Sequence, residues 1–304
     1  MSVVETVPPL RAREAHDRAI RRSESQSQWL DRLGRALDPL PWPVGENLLA
    51  GLGLLQVVIR PDRFLRALTW AAAQPPGPHG RLSLALRLLA NHGRFVAQQR
   101  LVGLRDPATL RERVRVTGEE HLVAAVAGAG TMLLGFHVGP PCSSLALQLL
   151  GYPVRTIDDL IYCPREGLEP DRLAEWRSPM PMDRKESRAV ALHEARRHLA
   201  GQGLVHVLAT GRWGAEAFRI ALPGGPVIIR NGWLALRRLT GATTLPLLAH
   251  DEGRRRVITI HPPLPPVSAD PQADREACRP VLTDVLRSYF RRFPEQCRVP
   301  LWRP

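Results

Sequence analysis

The amino-acid sequence predicts an α/β fold with a mostly parallel central sheet covered by helices, preceded by a helical N-terminal region. Two observations predict this fold. After about residue 110, short apolar runs alternate with amphipathic helical segments, and this repeated β-α-β order is typical of parallel sheets. Before residue 110, helical patterns are interrupted by proline-rich breaks at 39–43 and 75–78. We therefore divide the chain into a helical region, 1–110, and an α/β domain, 111–304.

The α/β domain contains seven predicted strands. They are expected at residues 114–116, 132–136, 153–157, 204–209, 217–222, 244–250 and 256–261, and helices are expected at 119–127, 142–150, 187–200, 229–240 and 273–290. The run 132–136, Met-Leu-Leu-Gly-Phe, has no polar side chain, which is typical of a strand buried on both faces. Pro140 and Pro141 prevent an earlier start of the next helix, and Gly151 ends it.

The formal net charge of +13 comes almost entirely from arginine, because Lys185 is the only lysine among 42 basic residues. A basic surface attracts anionic partners such as phospholipid headgroups, acidic carrier proteins or nucleic acid. The arginines are dispersed along the chain and no nucleic-acid-binding motif accompanies them, so we expect no nucleic acid partner. A phospholipid surface or an acidic carrier protein is the favoured class of partner.

The four cysteines are far apart in the sequence and form no C-x-x-C pair. This spacing indicates neither a zinc site nor a disulfide framework, and it is typical of a reducing cytoplasm. Residues 1–22 lack the apolar core of a signal peptide, and the longest apolar run, 48–59, is shorter than the roughly 20 residues that a membrane span needs. We expect a cytoplasmic protein without a bound metal or cofactor, peripheral on the inner face of the cell membrane.

Two segments have apolar faces that could lie on a membrane, 29–40 and 63–73. The second segment contains both apolar and basic residues. The apolar ones are Phe64, Leu65, Leu68 and Trp70, and the basic ones are Arg63 and Arg66. The same pattern is equally typical of a helix that packs its apolar face on the main domain. Both interpretations stay open for these segments.

A histidine follows the buried run, in the loop Gly135-Phe136-His137-Val138-Gly139. Reactive groups in open α/β sheets lie in loops at the carboxyl ends of strands, and this loop leads directly into a predicted helix. The first turn of a helix favours negative charge, such as an oxyanion or a phosphate. His137 is therefore a candidate catalytic residue, with a purely structural histidine as the alternative.

Residues 133–139, Leu-Leu-Gly-Phe-His-Val-Gly, resemble the histidine block of the lysophospholipid acyltransferase superfamily, specifically its branch of late lipid A (lauroyl/myristoyl) acyltransferases. Further segments resemble blocks of this family in the same order: 151–154, 199–205, 218–226, 235–246, Pro294-Glu295-Gln296 and Trp302-Arg303. Together they cover about 111–304. The resemblance implies a glycerol-3-phosphate acyltransferase-like fold.

The resemblance also implies an enzyme that moves a fatty acyl group from acyl-carrier protein or acyl-CoA to a hydroxyl or amine of a lipid-like acceptor, without a bound cofactor. In this family the histidine, here His137, acts as general base, and a carboxylate five residues later holds its imidazole in the required tautomer. That position is Cys142 in this chain. A second acid, usual just after the strand at 204–209, is also missing, since the chain reads Thr210-Gly211-Arg212 there; substitution by Glu216, which is offset, stays open.

The cysteine leaves three interpretations open. In the first, His137 works without its usual partner, oriented by a backbone carbonyl or by another acid. In the second, Cys142 is itself an acyl-accepting nucleophile beside His137 at a helix N-terminus. In the third, the chain has lost catalysis and has kept a cleft that binds lipid or acyl-carrier protein. A small apolar residue under the helix is the structural alternative for Cys142.

Three basic residues at the start of the predicted helix 187–200 are candidates for substrate binding. Arg184, Lys185 and Arg188 lie where the family places basic, phosphate-binding residues. They could hold the phosphate of the acceptor or the phosphopantetheine of the donor. A solvated helix start is the alternative.

The block 218–226 supplies the remaining predicted substrate contacts. Its turn, Pro223-Gly224-Gly225-Pro226, combines flexible and rigid residues and on its own is weak evidence for an anion site. The resemblance implies that Phe218, Gly224 and Gly225 line the acyl groove.

Overall fold

The computed structural model describes residues 36–37, 40–75, 77, 80–104, 107–140, 143–158, 180–181, 185–210, 216–253 and 255–297. Of the residues discussed above, Pro141, Cys142, Arg184, Gly211, Arg212, Trp302 and Arg303 lie outside these ranges. Most of the segment 29–40 also lies outside them, so both of its interpretations stay open.

Nine α-helices lie within the described ranges. They are α1 Trp42–Ile59, α2 Pro61–Ala72, α3 Arg81–Leu104, α4 Pro107–Arg113, α5 Glu119–Val126, α6 Ser143–Leu149, α7 Lys185–Ala200, α8 Gly232–Thr240 and α9 Pro271–Arg292, followed by a 3-10 helix, Pro294–Gln296. Pro61 separates α2 from α1, because proline fits the first position of a helix, where its missing N–H is no loss. Asp270 begins α9 by accepting hydrogen bonds from the backbone N–H groups of Gln272 and Ala273.

The described strands are β1 Val114–Thr117, β2 Thr131–Gly135, β3 Val154–Asp158, β4 Met180–Pro181, β5 Leu204–Leu208, β6 Glu216–Ile220, β7 Val227–Arg230, β8 Thr243–Glu252 and β9 Arg255–Ile260. Seven of them form one sheet in the order β1-β9-β8-β2-β5-β3-β4. The five strands from β8 to β4 run parallel, whereas β9 is antiparallel to β8 and parallel to β1. The predicted α/β architecture, a mostly parallel sheet with helices, is confirmed.

The region from β6 to α8 differs in detail from the sequence prediction. The predicted strand at 217–222 exists as β6, but it forms a separate antiparallel pair with β7. The helix predicted from residue 229 begins only at Gly232, because residues 227–230 are strand β7. The turn between β6 and β7 contains Gly224 and Gly225 at positive φ angles of 82° and 124°, which lets the chain reverse and pair with itself.

Helices cover both faces of the central sheet. Along β2, Met132 and Leu134 belong to one core cluster and Leu133 to the other, as the alternation of side chains in a strand requires. The first cluster also takes in buried residues of α2 and α3, namely Ala67, Trp70, Leu84, Leu88 and Leu89. The N-terminal helices therefore share a hydrophobic core with the sheet, and the domain boundary near residue 110 stays a prediction.

Residues 63–72 of the segment 63–73 lie in α2, and most of their apolar face is used for packing. Ala67 and Trp70 are buried, and Phe64 and Leu68 pack against the same core, whereas Leu65 is 62% exposed. The packing interpretation therefore accounts for most of this face. Within the described ranges, no helix combines the length and the apolar character needed to cross a membrane.

Candidate functional site

His137 lies at the middle of the sheet, at the carboxyl end of β2. This strand ends at Gly135 and is flanked by β8 and β5, which run parallel to it. His137 is partly exposed, whereas Phe136 before it and Val138 after it are buried. The prediction that this histidine directly follows a buried strand of the sheet is confirmed, and its catalytic role stays a prediction.

Strand β5 brings Thr210 alongside His137. The backbone N–H of Ala209 donates to the carbonyl oxygen of Gly135 at 2.9 Å, which continues the pairing of β2 with β5 beyond the end of β5. Oγ1 of Thr210 then lies 2.8 Å from the backbone N of His137 and 3.1 Å from its Nδ1. The backbone N–H donates to the hydroxyl oxygen, and the direction of the bond at Nδ1 depends on the tautomer.

A hydrogen bond at Nδ1 matters for base catalysis because the two nitrogens of a neutral imidazole have opposite roles. When Nδ1 carries the proton, Nε2 has the lone pair that accepts a proton from a substrate. The resemblance assigns the bond at Nδ1 to the residue at the place of Cys142, which lies outside the described ranges. A contact between Cys142 and His137 therefore stays a prediction.

The other side of the histidine loop packs against β8 and α9. The hydroxyl of Tyr289 donates to the carbonyl oxygen of Ala249 at 2.7 Å, and a Cβ on Gly139 would overlap both of these oxygens. Complete burial raises the pKa of Tyr289 well above its ordinary value, so the phenol remains a donor. The loop is thus held between Thr210 on one side and Ala249 on the other.

A second histidine lies beneath this loop and was not singled out from the sequence. The imidazole of His206 in β5 packs so closely on Gly135 that a Cβ there would overlap its ring. Burial lowers the pKa of His206 to about 4, and its Nδ1 has no hydrogen-bond partner among the described groups. The sequence could have indicated a buried histidine here, because His206 is the only polar residue in the apolar run Leu-Val-His-Val-Leu.

The hairpin of β6 and β7 reaches the same edge of the sheet, because the N–H of Arg230 donates to the carbonyl oxygen of Ala209 at 2.8 Å. Phe218 in β6 is buried in the core cluster. The N–H of Gly225 donates to the carbonyl oxygen of Leu222 at 3.0 Å within the turn, and a Cβ on Gly224 would overlap the Trp70 indole. These placements give all three residues packing or turn roles, and their predicted contact with substrate stays a prediction.

The predicted basic site lies mostly outside the described residues. Arg184 is outside the described ranges, and α7 includes Lys185 and Arg188 without a description of their side chains. Their role in binding phosphate stays a prediction. Among the described side chains, no group of three or more His, Cys, Asp or Glu residues is placed to hold a metal ion.

The segment Pro294-Glu295-Gln296 ties the N-terminal helices to the sheet. Nε1 of Trp70 donates to the carbonyl oxygen of Pro294 at 3.4 Å, and Nδ2 of Asn91 donates to that of Glu295 at 2.9 Å. The side chain of Gln296 bonds to the backbone of β8. This block therefore has a structural role, and it joins α2 and α3 to the strand beside the candidate site.

Comparisons with known proteins provide no family assignment: no protein-family model matches the chain, and no curated protein matches it. The resemblance to the lysophospholipid acyltransferases therefore rests on the sequence blocks quoted above. The placement of His137 at the carboxyl end of a central parallel strand is a separate, structural observation.

Proposed function

We propose that this chain is an acyltransferase that moves a fatty acyl group from acyl-carrier protein or acyl-CoA to a hydroxyl or amine of a lipid-like acceptor. His137 is the general base, and the fold is of the glycerol-3-phosphate acyltransferase type. One observation supports this proposal above the others: His137 lies at the carboxyl end of β2 with its Nδ1 within hydrogen-bond distance of Thr210. A histidine bonded at Nδ1 is suited to take a proton at Nε2.

The proposed reaction needs one proton to be accepted and then returned. Nε2 of His137 takes the proton of the acceptor as its oxygen or nitrogen attacks the carbonyl carbon of the thioester. The tetrahedral intermediate collapses, the carbon–sulfur bond breaks, and the imidazolium gives the proton to the leaving thiolate. The products are the acylated acceptor and the free thiol of the carrier.

Acyl transfer from labelled acyl-carrier protein or acyl-CoA to a panel of lysolipids and glycolipids tests the proposal directly. We expect His137→Ala to lower turnover by about 100-fold to 10,000-fold, the usual contribution of a general base. His193→Ala is the matched control, because His193 is exposed on α7. Full turnover in His137→Ala would show that the mechanism is wrong.

A second candidate function is binding of lipid or acyl-carrier protein without turnover. It is favoured by the group beside Nδ1, since Thr210 offers a neutral hydroxyl where a carboxylate would stabilise the imidazolium. This alternative predicts saturable binding of acyl-carrier protein or lipid and no transfer with any donor. The variant Cys142→Asp, which restores the motif carboxylate, would then remain inactive.

A cysteine acyl-enzyme is the third possibility, because Cys142 takes the place of the motif carboxylate. It predicts a covalent thioester on Cys142 after incubation with an acyl donor. Intact-protein mass spectrometry of the wild type and of Cys142→Ser decides this point. An unmodified wild-type chain with every donor would exclude the acyl-enzyme.

We further propose that the protein reaches its acceptor as a peripheral protein on an anionic membrane surface, with α1 as the contact. This helix packs Leu49 and Gly53 against α3, and its opposite side exposes apolar residues. These are Val44, Leu48, Leu54, Leu55, Val58 and Ile59, followed by Leu65 in α2. The net charge of +13 favours anionic headgroups around this apolar surface, and Arg60 beside Ile59 is exposed and already paired with Asp62 at 3.0 Å.

Co-sedimentation with vesicles that contain phosphatidylglycerol tests the membrane contact. We expect the double variant Val58→Glu/Ile59→Glu to lose most of the bound fraction, because two charges would enter the apolar surface. Val123→Glu is the control, since Val123 is 62% exposed on α5, a helix that packs in the second core cluster, whereas Val57 of α1 packs against the first. Equal binding of both variants would show that α1 is not the contact.

A further inference from the structure

We propose that Thr210 is the positioning residue of His137 and takes the role that a carboxylate has in the motif of the acyltransferases. Its hydroxyl accepts a hydrogen bond from Nδ1–H and so keeps the lone pair of the imidazole on Nε2. This inference rests on the proposed function of His137 as general base.

The first argument is that one hydroxyl bonds to both the backbone and the ring of the same histidine. Oγ1 of Thr210 lies 2.8 Å from the backbone N of His137 and 3.1 Å from Nδ1. Contact at these two points fixes the position of the main chain and the orientation of the side chain together. A base has to hold its geometry to within a fraction of an ångström, and such a double contact provides this.

The second argument is that the sheet itself holds Thr210 in place. Ala209 is buried, its N–H donates to Gly135 of β2 at 2.9 Å, and its carbonyl oxygen accepts from the N–H of Arg230 at 2.8 Å. The residue before Thr210 is therefore bonded on both sides by strands. Thr210 is positioned by β2, β5 and β7, which makes its hydroxyl a rigid partner for the imidazole.

The third argument is the balance of lone pairs and protons at the hydroxyl. Oγ1 has two lone pairs, and the backbone N–H of His137 uses one of them. The proposal assigns the second lone pair to Nδ1–H, so that the hydroxyl oxygen accepts both hydrogen bonds from His137. When Nε2 takes the proton of the acceptor, Nδ1–H remains bonded to Oγ1 through the whole step.

A hydroxyl and a carboxylate at this place differ in charge, and this difference has a measurable consequence. A carboxylate beside a histidine favours the imidazolium and raises the pKa of the ring, whereas a neutral hydroxyl has no such effect. The base with Thr210 therefore stays neutral, and active, to lower pH than the same base with an aspartate. Thr210→Asp should shift the acid limb of the kcat profile upward by about one pH unit or more.

The tautomer of His137 gives a readout that does not depend on activity. Two-bond 1H–15N correlation spectra of protein labelled with 15N-histidine distinguish Nδ1–H from Nε2–H, and the His137 signal is assigned by its loss in His137→Ala. The wild type and Thr210→Ser should show Nδ1–H. In Thr210→Val the ratio of Nδ1–H to Nε2–H should fall by about 5-fold or more, the equilibrium value of one hydrogen bond.

Thr69→Val is the matched control, because it removes an exposed hydroxyl that bonds only within α2, to the carbonyl oxygen of Leu65. Its spectrum should equal that of the wild type. An Nε2–H tautomer in the wild type, or an unchanged tautomer in Thr210→Val, would overturn the role of Thr210.

Kinetics complete the test. We expect Thr210→Val to lower kcat by about 10-fold to 100-fold with little change in KM, and Thr210→Ser to retain most of kcat, since only the orientation of the base is altered. If no pair of donor and acceptor gives turnover, the proposed function fails. The tautomer spectra do not depend on turnover, so they still decide the role of Thr210. If His137→Ala abolishes turnover but Thr210→Val changes neither kcat nor the tautomer, only the role of Thr210 fails.

Discussion

The side-chain amide of Gln296 bonds to both backbone groups of Asp251: Oε1 accepts from the N–H at 2.7 Å, and Nε2 donates to the carbonyl oxygen at 2.9 Å. The register of β2 with β8 ends at Leu247, so β8 runs past the end of its neighbour on that side. Tyr289 bonds to Ala249 on the same stretch. The C-terminal segment thus takes the place of a missing strand along this part of β8.

The first prediction concerns this pair of hydrogen bonds. Gln296→Ala leaves two backbone groups of β8 without their partner and should lower the free energy of unfolding by about 2–3 kcal/mol. Gln296→Glu should also destabilise, because it keeps the acceptor but places an oxygen opposite the carbonyl oxygen of Asp251. Urea denaturation measures both effects. Gln272→Ala, an exposed position on α9, is the control and should leave the midpoint unchanged.

The second prediction concerns the crossing of α1 and α3, which depends on glycine. A Cβ on Gly53 would overlap the carbonyl oxygen of Leu89, and a Cβ on Gly93 would overlap that of Leu49. Gly53→Ala should therefore force the helices apart and cost about 2 kcal/mol. Gly51, two residues earlier in the same helix, has no atom within 4 Å of the added Cβ.

Gly51→Ala provides a control of opposite sign. Alanine is a better helix former than glycine, so this variant should stabilise the protein by roughly 0.5–1 kcal/mol. Thermal unfolding of the two variants should move the midpoint in opposite directions. A similar change in both would show that the close contact with Leu89 does not limit the packing of α1.

The third prediction separates backbone strain from side-chain overlap in the turn at Gly224. This residue has φ of 82° and packs on the Trp70 indole, whereas Gly253 has φ of 60° and open space around the position of a Cβ. Gly253→Ala should cost roughly 1–2 kcal/mol from the left-handed conformation alone. Gly224→Ala should cost about 1–3 kcal/mol more, because the added methyl overlaps Trp70. Equal losses of unfolding free energy in the two variants would contradict the packing role of Gly224.

Much of the fold could be predicted because apolar runs bounded by glycine and proline locate buried strands. The predicted strand at 132–136 overlaps β2, and the end of this strand placed His137 correctly. The short strand β7 was missed, since its four residues run directly into the apolar pattern of α8. Sequence periodicity also does not show which strands pair, so the separate hairpin of β6 and β7 could not be predicted.

The partners of the site residues were less accessible to sequence reasoning. Thr210 lies 73 residues after His137, and only the parallel pairing of β2 with β5 brings them together. Arg237 likewise forms a buried ion pair with Asp274, 37 residues away, at 2.7 Å, although an arginine on a helix surface normally suggests exposure to solvent. In both cases the contact depends on the register of distant elements, which local patterns do not encode.

The last prediction follows from the buried His206. Burial lowers its pKa to about 4 in the folded protein, whereas an unfolded chain has a histidine pKa near 6.5. Above pH 6.5 both states are neutral at this residue. Between pH 6.5 and 4 only the unfolded state binds this proton, so the contribution of His206 to the free energy of unfolding should fall by about 3 kcal/mol as the pH decreases, and this contribution levels off below pH 4.

His206→Leu removes this titration and should flatten the dependence of unfolding free energy on pH by about 3 kcal/mol over the same interval. Part of the dependence should remain, because burial also lowers the pKa of His198 and His261. His193→Ala, at an exposed position, should reproduce the wild-type curve. Urea denaturation at half-unit steps of pH measures all three curves, and a wild-type slope in His206→Leu would mean that the imidazole beneath the His137 loop is protonated in the folded protein.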